Sequence, residues 1–300
     1  MNQTLQTAHI TPSTTLSPAI IAWRYYLEDQ NRSIHTIKAF AADLALLAQY
    51  LPPDKTVGAI TTEELNQYIQ WLEKGRNIPC SPKSLSRRIT AIKSFFSWLH
   101  KNAVLTVNPA EKVVQQSVIS PLPEVLTEDE VGLLYDAANN LREAGKADAR
   151  PYLLFGLILE TGMKKGECLG VDIKHLDLAD AQNATVFIRY PNPANRFKER
   201  KINLSEDWVK AYYEYLGLYK PQDQLFPWSP RRLEYILEDL GEAAGLTNKH
   251  VSFDMCRWTS ALQDYLAGED TEKIRQKLGI SKIQWREVNM KLKELAAKAR

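Results

Sequence analysis

One stretch of the sequence carries side chains whose types and spacing suit the phosphate backbone of a nucleic acid. Advancing 100° per residue from Ser81 to Lys101 gathers its polar side chains within an arc of about 120°. They are Lys83, Ser86, Arg87, Thr90, Lys93, Ser94, Ser97 and Lys101. The arc contains no acidic residue, so cations alternate with short hydroxyl donors, which allows close approach to phosphates and displacement of counterions. The alternative is a basic face that contacts only solvent, although such faces usually mix both charges.

A smaller set of the same residue types occurs earlier in the chain, near the start of another apolar-periodic segment. It consists of Ser33, His35, Thr36 and Lys38. We predict that Thr36 and Lys38 contact the same nucleic acid as the longer arc.

Helices must position both sets, and the apolar spacing of the first half of the chain predicts them. Ser33 is a candidate N-cap for a helix that ends at Pro52-Pro53, and Thr61 to Glu64 begins a second helix that runs to Lys74. Ser81-Pro82 begins the third, which carries the polar arc. We predict a helical bundle over residues 17–112, preceded by a disordered arm over residues 1–16 that is neither a signal peptide nor an anchor.

The second half of the chain reads as a separate domain. Pro121 and Pro123 predict an extended linker over residues 113–123, so we expect the second domain to span residues 124–300. Its pattern is mostly helical, but 184–190 and 201–204 are β-prone and flank a turn rich in proline and asparagine. The predicted fold class is mainly α, with two domains and one small antiparallel sheet or hairpin.

Charge is distributed unevenly along the chain, although the formal net charge is only +2. Residues 1–112 carry 12 Lys and Arg against 8 Asp and Glu, residues 113–270 carry 17 against 25, and residues 271–300 carry 9 against 3. Two basic ends therefore flank an acidic centre, and basic ends favour an anionic partner.

The cysteines and the apolar stretches exclude several classes of protein. Three cysteines, widely separated and without a C-x-x-C pair, support neither a disulfide framework nor a zinc site, which favours the cytoplasm. We predict no metal and no cofactor. The longest uncharged apolar stretch, about nine residues from Tyr152, is far short of the roughly 20 that a membrane span needs, so we expect no membrane association.

Several segments, in one order along nearly the whole chain, carry a resemblance to a known family. They are Ser84 to Leu99 followed by Asn108-Pro109-Ala110, Leu126-Thr-Glu-Asp-Glu-Val131, Thr161-Gly-Met-Lys-Lys-Gly-Glu167, Lys198-Glu-Arg-Lys-Ile-Asn-Leu204, Leu225-Phe-Pro227, Asp254-Met-Cys-Arg257 and Leu278-Gly279. The first resembles the core-binding domain of the tyrosine recombinases, the family of phage integrases and Xer-like proteins. The others are similar to the motifs of that family's catalytic domain.

The resemblance implies a chemistry and a set of positions for it. Family members break a DNA strand by attack of a tyrosine on phosphorus, without metal or nucleotide cofactor, while two arginines clamp the phosphate, a hairpin lysine protonates the leaving oxygen and histidines assist. In this sequence the first arginine falls on Lys164, the hairpin lysine on Asn195, the first histidine on Asp254, the second arginine on Arg257, the second histidine on Ile280 and the tyrosine on Asn289. A shifted hairpin register would place Arg196 or Lys198 at the lysine position.

Of these positions only Arg257 keeps the residue type of the family. Lys164 keeps a charge but loses the planar fork that binds two phosphoryl oxygens. Asp254 places a negative charge beside an anionic substrate, and Ile280 can neither donate nor accept a proton. We therefore predict a dismantled catalytic centre.

The nucleophile is also missing. Asn289 cannot form a phosphotyrosine-like ester, and the last tyrosine, Tyr265, follows Arg257 by only eight residues. We expect Tyr265 to pack within its helix. A nucleophile supplied by an identical neighbouring subunit would be absent for the same reason.

The leading hypothesis is a pseudo-recombinase that binds double-stranded DNA without cutting it, in a regulatory, architectural or accessory role in recombination or transcription. The residues predicted to contact DNA are Thr36, Lys38, Lys83, Arg87, Thr90, Lys93, Ser94 and Lys101 in the first domain and Lys164, Arg196, Lys198 and Arg257 in the second. By resemblance, Lys291 to Arg300 docks on another protomer, so the expected partners are a second copy or an active recombinase. The alternatives are an active recombinase with a divergent site and an interaction scaffold that has lost DNA binding.

Overall fold

A computed structural model describes residues 10–114 and 121–299. The chain divides into two compact units, residues 1–120 and 121–300, and this division falls inside the stretch 113–123. Each unit has an apolar core of its own. Within the described residues, no helix combines the length and the apolar composition needed to cross a membrane.

Four α-helices build the described part of the first unit, and the N-termini of the last three are those that the capping residues predict. They are α1 (Leu16–Asp29), α2 (Ile34–Tyr50), α3 (Thr62–Gln70) and α4 (Pro82–Lys101). The Ser33 hydroxyl accepts a hydrogen bond from the Thr36 backbone N at 3.1 Å, and Thr61 forms a capping box with Glu64. The second predicted helix, expected to run to Lys74, continues past α3 as a π-helical turn, Trp71–Gly75.

The prediction of a disordered arm over residues 1–16 is wrong for residues 10–16. Two backbone carbonyls in this segment, those of Pro12 and Thr14, each accept a hydrogen bond at 2.8 Å, from Gly58 N and Val57 N respectively. Leu16 then begins α1 and is buried. The polar composition of the segment hid these main-chain bonds, which need no apolar side chain. Residues 1–9 lie outside the described part of the chain.

The second unit surrounds one buried helix. Its α-helices are α5 (Glu128–Glu143), α6 (Arg150–Thr161), α7 (Lys165–Leu169), α8 (Glu206–Tyr219), α9 (Pro230–Ala243), α10 (Phe253–Leu266), α11 (Thr271–Lys277) and α12 (Lys282–Lys298). Helix α6 is apolar on nearly every side and packs against α5, α8, α9 and α10. A helix with this composition belongs at the centre of a domain, because it has no polar face to turn to water.

A small antiparallel sheet lies beside these helices, as the sequence predicts, but it has one strand more than expected. Strand β1 (Leu176–Asp177) pairs with β2 (Thr185–Ile188), which pairs with β3 (Arg200–Asn203). The turn between β2 and β3 contains a 3-10 helix, Pro193–Lys198. Strand β1 has only two residues, too few for a period-2 pattern to be visible in the sequence.

The C-terminal helices form an apolar cluster of their own within the second unit. It contains Ala261, Leu262, Ile274, Leu278, Ile280, Leu292, Leu295 and Ala296. The final turns of α12 therefore pack against α10 of the same chain in this structure. Ile280, the residue predicted at the second-histidine position, is one of the side chains that form this cluster.

Candidate nucleic-acid interface

Helix α4 separates its two sides as the sequence predicts. Ile89, Ile92, Phe95, Phe96 and Leu99 are buried in the core of the first unit. Lys83, Thr90 and Lys101 are exposed, and Lys93 and Ser94 are half-buried. Lys83, Lys93 and Lys101 form no salt bridge with any residue that the structure describes, so their charge faces outward. Such cations can replace the counterions of a polyanion.

A groove of about 390 Å³ brings the two predicted sets of polar residues together. Thr36 of α2 lines it together with Thr90, Ser94 and Lys101 of α4. Sequence reasoning missed six other lining residues, among them Arg32, Tyr26 and Trp98. Tyr26 and Trp98 lie 5.8 Å apart between ring centroids, so the groove combines cations, hydroxyls and aromatic rings. Lys38 is exposed on α2 and is not among the groove residues.

Arg87 differs from the other cations of this face because an acid from another helix pairs with it. Its guanidinium donates to the carboxylate of Asp43 and, at 3.2 Å, to the carbonyl of Ala39. Asp43 is only 3% exposed and also lies 3.4 Å from Arg88 Nε, and burial raises its pKa above the ordinary value despite the two arginines. The arc therefore lacks acids only within α4 itself, because Asp43 of α2 lies beside Arg87 at the edge of the arc.

In the second unit, the buried carboxylate of Glu167 organises the predicted catalytic positions. Arg200 holds it with two hydrogen bonds, of 3.1 and 2.9 Å, and the backbone N of Lys164 donates to it at 2.8 Å. The hydroxyl of Tyr190 also donates to it. Burial alone would raise the pKa of Glu167, but these bonds hold it below the ordinary value. Glu167 is therefore an ionised anchor in the middle of the cations.

Three cations converge on the turn between α11 and α12, and each donates to a different carbonyl of that turn. Arg200 Nε donates to Lys277 O at 2.6 Å, and Arg257 Nη2 donates to Leu278 O at 2.7 Å. Lys164 Nζ donates to Gly279 O at 3.0 Å. Arg257 makes a further bond, from Nη1 to the carbonyl of Gly162. The cations at both predicted arginine positions, Lys164 and Arg257, thus bind the main chain of their own domain.

Gly279 is required at this turn for two reasons. Its φ is +57°, a conformation that favours glycine, and a Cβ there would lie 2.5 Å from Arg200 Nη1. The glycine of the family's L-G-H motif therefore permits the guanidinium of Arg200 to pack against the turn.

The burial of these cations changes their acidity. Burial lowers the pKa of Lys164 to about 8, and the charges of Arg257, Lys198 and Arg200 act in the same direction, against that of Glu167. Burial likewise lowers the pKa of Arg257 to about 10. By their contacts, Lys164, Arg200 and Arg257 form one cluster beside Glu167 and the α11–α12 turn, and the charge of Lys198 acts on Lys164.

The remaining predicted positions contribute less to this cluster. Asn195 accepts a hydrogen bond from Lys198 Nζ at 2.9 Å, so Lys198 is the hairpin cation that lies near Lys164. Arg196 is exposed at the hairpin tip, and Asp254 is exposed in the first turn of α10. Asn289 is half-buried on α12, and its Oδ1 is buried without a hydrogen-bond partner among the described residues. Tyr265 packs against the C-terminal apolar cluster, as expected.

Sequence reasoning missed the roles of Glu167, Tyr190 and Arg200. Two signals pointed to them: Glu167 and Arg200 both lie in motifs that carry the family resemblance, and Tyr190 ends a predicted strand. Burial and the bond to Glu167 raise the pKa of the Tyr190 hydroxyl, which makes it a poor nucleophile near neutral pH.

Both units of the chain are similar to domains of known proteins. Residues 20–102 match the phage integrase N-terminal SAM-like domain, and residues 124–288, more than half of the chain, match the phage integrase family. The chain belongs to the phage integrase family. Its two-unit fold and the order of its motifs are therefore those of the tyrosine recombinases.

Curated relatives of this family member include tyrosine recombinases named XerC. Tyrosine recombinase XerC of Actinobacillus pleuropneumoniae is 23% identical over 273 residues, which cover 87% of this chain and 84% of the relative. The XerC of Corynebacterium efficiens is 26% identical over 264 residues, with coverage of 84% and 79%.

Solved structures with the same fold include recombinases bound to DNA. XerH bound to a palindromic difH substrate, in a post-cleavage complex, has a TM-score of 0.73 at 18% identity and matches 98% of this chain and 91% of its own. A lambda integrase tetramer bound to a Holliday junction has a TM-score of 0.70 at 16% identity, with coverage of 92% and 77%. At these identities the similarity establishes the fold alone.

Proposed function

We propose that this phage integrase family member binds duplex DNA with both of its units and does not cleave it. Family membership and the outward cations of α4 support the binding. The absence of cleavage rests on Asn289 of α12, the residue on which the family resemblance places the nucleophilic tyrosine. An amide side chain cannot attack phosphorus to form a covalent protein–DNA ester, which is the intermediate that strand transfer requires.

The cation cluster also supports a non-catalytic role. Lys164 and Arg257, at the clamp positions, donate to the carbonyls of Gly279, Leu278 and Gly162. Transition-state stabilisation needs donors that already point at the reacting phosphoryl group, because reorienting them during the reaction costs free energy. A contact with a ground-state phosphate is less demanding, so Lys164, Arg196, Lys198 and Arg257 remain our candidates for DNA contacts in the second unit.

The test combines a binding assay with a cleavage assay. A duplex recovered by selection from a randomised pool is used first in a mobility-shift titration, and a suicide version of it, nicked to trap a covalent product, is then incubated with the protein. We expect a shift and no protein–DNA adduct on a denaturing gel, whereas an active Xer recombinase on its own site forms one. A lack of any shift would favour the interaction scaffold instead.

The second candidate is an active recombinase with a divergent site, and one observation favours it. Tyr190 brings a tyrosine hydroxyl to the cation cluster, beside the carboxylate of Glu167. If an adduct forms with the suicide substrate, the non-catalytic proposal fails. Loss of that adduct in Tyr190→Phe and Arg257→Ala, with mobility shifts unchanged, would then assign the nucleophile and the clamp.

We also propose that the protein acts in the cytoplasm as part of an assembly on DNA, with a second copy or an active recombinase as its neighbour. The support is the basic tail, Lys291 to Arg300, and the tetrameric state of a lambda integrase of the same fold. Exchange of the tail would require Leu292, Leu295 and Ala296 to leave their apolar cluster and enter an equivalent one on the neighbour. Sedimentation of the protein with and without its selected duplex, and with residues 291–300 deleted, tests this proposal.

A further inference from the structure

An aromatic ring projects into solvent at the tip of the β2–β3 hairpin. The side chain of Phe197 is 70% exposed, although a phenylalanine ring is among the most strongly buried side chains in folded proteins. It lies in the 3-10 helix Pro193–Lys198, three residues before β3 begins at Arg200. The exposed ring is available to contact a partner.

The turn that carries the ring is held in place by hydrogen bonds along its length. Asn192 Oδ1 accepts from the Ala194 backbone N at 2.9 Å near its start. The Tyr190 backbone N donates to Glu199 Oε1 at 2.9 Å across its base. The ring is thus presented by a defined support, which reduces the entropy that binding must overcome.

The charges around the ring indicate the chemistry of the partner. Lys198 Nζ lies 5.1 Å from the ring centroid, and Arg196, the residue before Phe197 in the chain, is exposed. The nearest acid along the chain, Glu199, is already occupied by the backbone N of Tyr190. A partner that offers anions on both sides of a flat apolar slot matches this pattern, and duplex DNA has that form, with phosphates flanking stacked base pairs.

We infer that Phe197 is a wedge that enters between two neighbouring base pairs of the bound DNA, while Arg196 and Lys198 contact the phosphates beside that step. The inference rests on the proposed DNA binding and adds a residue that determines specificity. Inserted apolar side chains unstack a base step and kink the duplex, and pyrimidine–purine steps deform most easily. The protein therefore prefers such a step at the position of Phe197, without hydrogen bonds to the bases.

The test uses the full chain and the duplex recovered by selection from a randomised pool. Single adenines are replaced one at a time by 2-aminopurine, whose fluorescence rises when it is unstacked. We expect an increase at one step of the wild-type complex, at a pyrimidine–purine sequence, and its loss in Phe197→Ala. Because stacking of a base on an aromatic ring contributes free energy, we expect this variant to bind about fivefold more weakly or worse. In Phe197→Leu, which keeps an apolar wedge, we expect part of the increase to remain.

Tyr213→Ala is the matched control, because it removes a 57%-exposed aromatic ring from α8, away from the hairpin. It should keep both the fluorescence increase and the affinity. Binding without any local increase in the wild type, or an increase that survives in Phe197→Ala, overturns the wedge and leaves DNA binding intact. Absence of binding by the wild type overturns the proposed function itself. Loss of dimers in Phe197→Ala without DNA would assign the ring to contacts between copies instead.

Discussion

The two units use cations in opposite ways. On α4 of the first unit, Lys83, Lys93 and Lys101 face outward and form no ion pair among the described residues. In the second unit, Arg200 and Arg257 are committed to the main chain of their own domain. The same formal charge is therefore available to a partner in one place and engaged by the protein's own main chain in the other.

The largest effect should come from Arg200→Ala. This change leaves the buried carboxylate of Glu167 without its bidentate partner, and removing one member of a buried ion pair costs about 3–5 kcal/mol in the free energy of unfolding. Denaturant titration measures the loss. Lys201→Ala, an adjacent exposed residue of β3, is the control and should change stability by less than about 0.5 kcal/mol. Equal stability of the two variants would show that Arg200 is not a folding cation.

Substitutions of Arg87 and Lys93, which lie on the same helix, should differ in their effects on stability, and both effects should be smaller than that of Arg200→Ala. Arg87→Ala leaves Asp43 with Arg88 as its remaining cationic partner, so we expect a loss of on the order of 1–3 kcal/mol in unfolding free energy. Lys93→Ala should leave stability unchanged but weaken DNA binding and reduce the slope of log affinity against log salt by about 0.9. If both variants bind DNA more weakly and neither loses unfolding free energy, Arg87 belongs with the outward cations.

These examples show what the sequence could and could not predict. The arc on α4 and the hairpin follow from local periodicity, which a single segment displays in full. Asp43 pairs with Arg87, which lies 44 residues further along the chain, and no local sequence pattern predicts such a contact. The turn that binds Lys164 and Arg257 uses backbone carbonyls, which every residue has, so residue types alone cannot reveal it. In the sequence, Glu167 and Arg200 could be recognised only as members of motifs that carry the family resemblance, without a predicted role.

The titration of Lys164 tests the same difference between the cations of the second unit and the lysines of α4, with a smaller expected effect on stability. Burial lowers its pKa from 10.5 to about 8, so between these values the unfolded chain binds more protons than the folded one at this group. Its contribution to stability therefore increases as the pH rises from about 8 to 10.5 and is least below pH 8. Unfolding titrations across this range should show a steeper gain for the wild type than for Lys164→Gln. Identical profiles would mean that Lys164 is as solvated as the lysines of α4.

The smallest effect should follow from restoring the missing hydroxyl alone. In Asn289→Tyr we expect no adduct with the suicide duplex, because Lys164 and Arg257 still donate to the α11–α12 turn and Ile280 still offers no proton donor. A nucleophile without a clamp for the developing charge gains little transition-state stabilisation. An adduct in this variant, with none in the wild type, would show that the cations leave their carbonyls when a phosphate arrives. The separation between folding cations and binding cations would then hold only in the absence of DNA.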